Sequence, residues 1–186
     1  SIAEPTSAGR GQSRAALFWM LAVFAAPILV YGQTLSFDFV NFDDNVYVYE
    51  NGVVLKGPSM EGARWAFTTA HYQNYHPLTW LSHMADVAMF GPAPGMHHGV
   101  NVALHALNSA LLFLLLRAWT GALGKSAAIA LLFAVHPLHV ESVAWVSQRK
   151  ELLSTFSLFV SLGIYTQHVR KPTRGRYGSF VLVSAA

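Results

Sequence analysis

Residues 15–37, AALFWMLAVFAAPILVYGQTLSF, decide how the rest of this chain is read. The 23 residues include no Asp, Glu, Lys or Arg. A bilayer core takes about 20 predominantly apolar residues of helix, so the run reads as a membrane span. A secretory signal has an apolar region of roughly 7–15 residues and a small-residue cleavage site. This run is longer and reads as a retained span. Just beyond it comes Asn41-Phe42-Asp43-Asp44-Asn45. Carboxylates at the mouth of a membrane bundle are costly and often functional.

Composition agrees with the membrane class. Of 186 residues, 53% are hydrophobic and only 11% charged, against about 25% charged in soluble domains. No cysteine is present, which excludes disulfides and thiolate metal sites. The net charge of +3 is no nucleic-acid signature, because the basic residues sort by topology instead.

The expected fold is all-α, a polytopic transmembrane helix bundle with interfacial helices in a long first outer loop. A leader, 1–14, precedes a transmembrane domain over 15–186. Spans are expected at about 15–35, 98–118, 125–140 and 152–169, with a fifth beginning near 177. The third is the weakest, since it reaches membrane length only through His136-Pro137-Leu138-His139. The chain begins without Met and stops inside an apolar run, which reads as a fragment of a larger protein.

Charge suggests the orientation. A cytoplasmic N-terminus places Arg10, Arg14, Arg117, Lys125, Arg170, Lys171, Arg174 and Arg176 inside, eight of the twelve basic residues. The opposite, periplasmic or lumenal, side receives the 38–97 loop. That loop holds Asp38, Asp43, Asp44, Glu50, Glu61 and Asp86 against Lys56 and Arg64. Within it, Ser59 can cap a short helix. Residues 78–90 carry Leu78, Leu81, Met84, Ala85, Ala88 and Met89 on one helical face, ended by Gly91-Pro92. That helix is too short to span and suits the interface.

Polar groups inside the spans are few. His98, Asn101, His105 and Asn108 fall on one face of the second span. They can hydrogen-bond a neighbouring helix or wall a lipid-linked substrate. Ser154, Ser157 and Ser161 on the fourth span read as helix packing. His136, His139 and Glu141 sit at the end of the third. Their spacing is poorly specified for a metal, and Pro137 breaks the helix that would align them. Arg149 and Lys150 open the fourth span, where they can snorkel or grip a phosphate.

Several segments together carry a resemblance. They are Phe42-Asp43-Asp44-Asn45-Val46-Tyr47, Tyr75-His76-Pro77-Leu78-Thr79-Trp80, the stretch from His97 to Asn108, and Leu131 through Trp145 running on to Arg149-Lys150-Glu151-Leu152-Leu153-Ser154. This order resembles the N-terminal membrane half of the transmembrane and tetratricopeptide-repeat (TMTC) proteins and their bacterial relatives. The resemblance implies a GT-C type glycosyltransferase fold and a polyprenyl-phosphate-linked sugar donor. It also implies a protein acceptor, as in O-mannosylation. By that analogy Asp43 or Asp44 is the catalytic base, with Asp44 preferred. Animal members tend to carry Arg where this chain has His76, a group mostly neutral at pH 7.

The implied reaction transfers a mannose-like sugar to a Ser or Thr hydroxyl on the outer face. Candidate substrate-binding residues are His76, His98, Asn101, His105, His136, His139, Glu141, Arg149 and Lys150. No metal or other cofactor is expected. The alternative is a non-catalytic membrane scaffold or an ion-binding transport component. A transporter would carry acids deep in its spans, whereas every Asp and Glu here falls at an interface or in a loop.

Overall fold

A computed structural model describes residues 7–184, with side chains from Gly11 onward except that of Arg174. The chain is an all-α membrane helix bundle. Helix α1 spans Ser7–Tyr31 and runs on through a 3-10 turn, Gly32–Ser36. Residues 7–14 of the expected leader are therefore already helical, while residues 1–6 and the side chains of Arg10 and Arg174 lie outside the described residues. The loop that follows holds two helical turns, Asn45–Tyr49 and Val54–Lys56, and two α-helices, α2 (Met60–Thr68) and α3 (Pro77–Phe90). After them come α4 (Pro94–Thr120), α5 (Leu123–Val135), the short α6 (Val140–Ala144), α7 (Arg149–Arg170) and α8 (Arg174–Ser184).

Local chemistry explains the boundaries. Ser59 Oγ accepts from the Gly62 N–H at 2.9 Å, capping α2 as its sequence suggests. Pro77 and Pro94 stand at the starts of α3 and α4, where a missing N–H costs nothing. Gly91 and Gly121 follow the last residues of those helices at φ +73° and +67°, a region that favours glycine. Pro137 ends α5, and the chain turns by 47° into the 137–144 segment.

Among the described residues, two helices are long and apolar enough to cross a membrane, residues 11–36 and 94–120. A third qualifies only if the bent 123–144 pair is one span. Helix α7 has the length, 22 residues, but its serines, Gln167 and His168 keep it off that count.

Helix α4 is the axis of the bundle and packs against α1, α5 and α7. Val23, Phe113, Ala127 and Ala130 form the core towards one end. Tyr31, Val102, Val143 and Leu152 form it towards the other. The 38–93 loop has its own core of Tyr47, Val48, Val54, Ala66, Trp80, Met84 and Val146. At the first end Trp119 Nε1 donates to Thr166 Oγ1 at 2.8 Å, and Arg170 reaches the Ala118 carbonyl. The C-termini of α4 and α7 therefore meet, bringing Arg117 and Arg170 to one end of the bundle. On α3, the expected apolar face is only partly the buried one: Met89 is exposed, whereas Thr79, His83 and Asp86 are buried with Trp80 and Met84. Asp86 is compensated by Arg149 on α7 and His97 on α4, and His83 Nδ1 faces His97.

Gly95 marks the tightest approach. A Cβ there would stand well inside van der Waals contact with the Leu35 carbonyl oxygen, whereas one at Gly124 would meet nothing within 4 Å. Gly95→Ala is expected to cost about 1–3 kcal/mol through overpacking. Gly124→Ala is expected to cost nothing. Thermal unfolding of the two variants in detergent checks the difference.

Candidate functional site

The two acids take different places. Asp44 is fully buried. Its Oδ2 accepts from the Val40 N–H at 2.9 Å, and its Oδ1 from the Ser147 N–H at 2.9 Å, 103 residues further along. The carboxylate thus staples the 38–93 loop to the junction before α7. Burial raises its pKa, opposed by the two N–H bonds and by the nearby His98. Asp43 is half-buried, and its carboxylate has no hydrogen-bond partner among the described residues. Burial and then the charge of Asp43 push the Tyr47 phenol up to about 12. Lys150 Nζ lies 5.5 Å from the centre of the Tyr47 ring, a cation–π distance.

Arg149 is turned inward and fully buried. Its Nε donates to Asn101 Oδ1 at 2.8 Å, Nη1 to Ser82 Oγ at 2.9 Å and to Asp86 Oδ2, and Nη2 to the His97 carbonyl at 2.8 Å. Four of the five guanidinium N–H groups are thereby engaged. His97 Nδ1 also lies 3.0 Å from Asp86 Oδ2, and His83 Nδ1 lies 3.3 Å from His97 Nδ1. Burial, followed by Arg149 and His97, holds the His83 pKa well below its usual value.

The polar stripe of α4 serves backbone carbonyls. Asn101 Nδ2 donates to the Val143 and Trp145 carbonyls at 3.4 and 3.2 Å. A ring N–H at His105 Nε2 donates to the Ala134 carbonyl at 3.1 Å, and Asn108 Nδ2 donates to that of Leu152 at 2.9 Å. His98 Nε2 lies 3.5 Å from the Asp38 carbonyl. Val143, Trp145 and Ala134 flank the break between α5 and α7, where helical bonding is interrupted. Of the two roles open to the stripe, these contacts are helix-to-helix hydrogen bonding.

The remaining candidates fall into two groups. His136, His139 and Glu141 stay at the α5–α6 break. Tyr31 donates to the His136 carbonyl at 3.3 Å, His139 lies against His105 with ring centres 5.1 Å apart, and the exposed Glu141 accepts from Gln148 at 3.4 Å. His76 and Lys150 come together in a cleft of about 390 Å³ between the start of α3, α7 and the end of α8. Ser154 and Ser157, expected to serve packing alone, open into this cleft. Burial and then Lys150 lower the His76 pKa, with Glu151 opposing, which favours the neutral imidazole.

Sequence reasoning had no site role for His83, Asp86, His97, Ser147 or Tyr47. The i, i+3 spacing of His83 and Asp86 was the signal available for that pair. For Ser147 only a backbone N–H matters, which leaves no trace in residue type.

Fold and site together define a class: an all-α membrane protein whose acidic 38–93 loop is locked onto the mouth of its bundle. No protein-family model matches the chain, and no solved structure does. Among curated proteins it is similar to Protein O-mannosyl-transferase TMTC1 of Mus musculus, 30% identical over 164 residues, covering 81% of this chain and 17% of that protein. It is 31% identical over 160 residues to Protein O-mannosyl-transferase TMTC2 of Mus musculus, covering 81% and 18%. To Protein O-mannosyl-transferase TMTC3 of Homo sapiens it is 34% identical over 97 residues, covering 52% and 10%. The chain is TMTC-like over most of its length and spans less than a fifth of these relatives.

The buried pair generates a stability prediction. Removing Asp86 leaves the Arg149 charge buried and uncompensated, which costs about 3–5 kcal/mol. Asp86→Ala is expected to lose that much, while Lys150→Ala, at a half-buried position, stays within about 1 kcal/mol. Unfolding in micelles of fixed composition measures both.

Proposed function

We propose that this chain forms the acid-bearing part of a TMTC-type, GT-C-like membrane glycosyltransferase of the bacterial kind. It takes a mannose-like sugar from a polyprenyl-phosphate donor and passes it to a protein hydroxyl on the outer face, with the N-terminus on the cytoplasmic side. The observation that carries this reading is the contrast between the two acids. Asp44 is buried with both oxygens bonded to backbone N–H groups, so Asp43 is held beside it with its carboxylate uncommitted. This reverses the preference drawn from the resemblance: Asp43 is the base and Asp44 its anchor. The similarity to proteins named O-mannosyl-transferases supports the reaction class.

Lys150 connects base and donor, since it lies over Tyr47 and also lines the cleft with His76. The donor phosphate lies by Lys150, its sugar towards Asp43 and its tail along the span side of the cleft. The acceptor oxygen attacks the anomeric carbon, its proton passes to Asp43, and the carbon–oxygen bond to phosphate breaks with its electron pair on the phosphate. A single displacement inverts the anomeric centre. Arg149, Asn101, His98 and His105 hold the site rather than touch the donor. An ion pathway is disfavoured, because His105 and Asn108, the deep polar groups of α4, are engaged by backbone carbonyls.

The test is transfer from labelled polyprenyl-phosphate mannose in membranes containing the full-length protein. Asp43→Asn is expected to lose about 10²-fold or more in rate, the usual contribution of a general base, at an unchanged melting temperature. Asp44→Asn puts an amide N–H or a lone oxygen against two N–H donors, so it loses both activity and stability. Undiminished transfer by Asp43→Asn sinks the assignment of the base.

A further inference from the structure

His83, Asp86 and His97 form a second cluster, which the proposed transfer does not use. His83 and Asp86 lie one turn apart on α3, and His97 lies in the first turn of α4. All three are buried. His83 Nδ1 and His97 Nδ1 are 3.3 Å apart, His97 Nδ1 and Asp86 Oδ2 are 3.0 Å apart, and one ligand atom from each of the three residues falls within 4.8 Å of the other two.

Counting protons shows what is unusual. For His97 Nδ1 to bond the Asp86 carboxylate, it must carry a proton. The same proton then faces His83 Nδ1, which must present a bare lone pair, because two N–H groups cannot point at each other at this distance. Three electron-pair donors thus meet with one proton between them, while Arg149 Nη1 donates to the same Asp86 Oδ2 from outside the cluster. The outer nitrogens give no relief, since His83 Nε2 and His97 Nε2 are both buried without a hydrogen-bond partner. A cation at the point of convergence accepts a pair from all three atoms. The spacing suits it: metal–ligand bonds of about 2.0–2.1 Å in a tetrahedron set ligand–ligand edges of about 3.3 Å.

We propose that His83, Asp86 and His97 bind a divalent transition-metal ion of the zinc class, clamping α3 to the start of α4. Two imidazoles and a carboxylate are an N/O donor set that zinc accepts, and it needs no cysteine, of which the chain has none. Arg149 on Asp86 is compatible with this role. Arg149 Nη1 bonds the same oxygen, Oδ2, whose two lone-pair sites leave one for an ion, and carboxylates that bind metals are commonly hydrogen-bonded by a further group. The site replaces the metal-free expectation drawn from the sequence. It is also remote in role from Asp43, so the two proposals stand or fall separately.

The experiment uses the full-length protein in lipid nanodiscs. Elemental analysis after purification without chelator is expected to find about one zinc-class ion per chain, lost in His83→Gln and kept in Asp43→Asn. Exchange into Co²⁺ is expected to give visible ligand-field bands in the parent and none in His83→Gln. A strong chelator should lower the melting temperature of the parent. If His83→Gln does not fold, the Co²⁺ spectrum and the chelator shift of the parent decide alone. A parent that binds neither Zn²⁺ nor Co²⁺ and ignores chelator overturns the proposal, leaving a hydrogen-bonded triad. Full metal retention in a folded His83→Gln overturns it equally, by placing the ion elsewhere.

Discussion

A guanidinium buried at the mouth of a membrane bundle must be neutralised and hydrogen-bonded at once, and Arg149 imposes that demand on three separate parts of the chain. It opens α7, where the helix dipole disfavours a cation by about 0.3–1 kcal/mol. Asp86 and Ser82 from α3, with Asn101 and the His97 carbonyl from α4, outweigh that cost. Satisfying one side chain therefore fixes how the loop helix α3, the central helix and α7 meet. The two residues before Arg149 follow from this. Ser147 is held where its N–H can reach Asp44, so the position of the acidic pair depends on Arg149 through the backbone.

The second constraint is the break at Pro137. A helix that stops near a bilayer leaves carbonyls without partners, and such groups cost several kcal/mol each in hydrocarbon. Helix α4 supplies the donors: His105 for Ala134, and Asn101 for Val143 and Trp145. The break and the stripe are two halves of one solution. The stripe's side chains are accordingly committed to the fold, whereas among the described residues those of Asp43, His76 and Lys150 make no hydrogen bond.

Much of the fold was legible in the sequence. The uncharged run of 15–37, the cap at Ser59 and the stop at Gly91 are local signals, because each rests on residues within a turn or two of where it acts. The amphipathic reading of residues 78–90 located α3 but misjudged its buried side. His83 and Asp86 look like solvent-facing residues until their partners on other helices are known. Position relative to the first span singled out the acidic pair, but could not rank Asp43 against Asp44. The difference between them lies in the backbone N–H groups of Val40 and Ser147, which any residue but proline would provide.

The sequence by itself determined that the chain is a helical membrane protein with a long acidic, aromatic loop after its first span, since chain hydropathy and charge act through local solvation. It also marked His76, Arg149 and Lys150 as groups of interest. Only the tertiary structure decided that Arg149 is spent inside the fold while Lys150 faces a cleft, although the two are neighbours. The physical reason is helical geometry: successive residues project about 100° apart, so one lands against Asp86 and the other over Tyr47. Which of them meets water is set by what packs there, and sequence spacing carries no record of that.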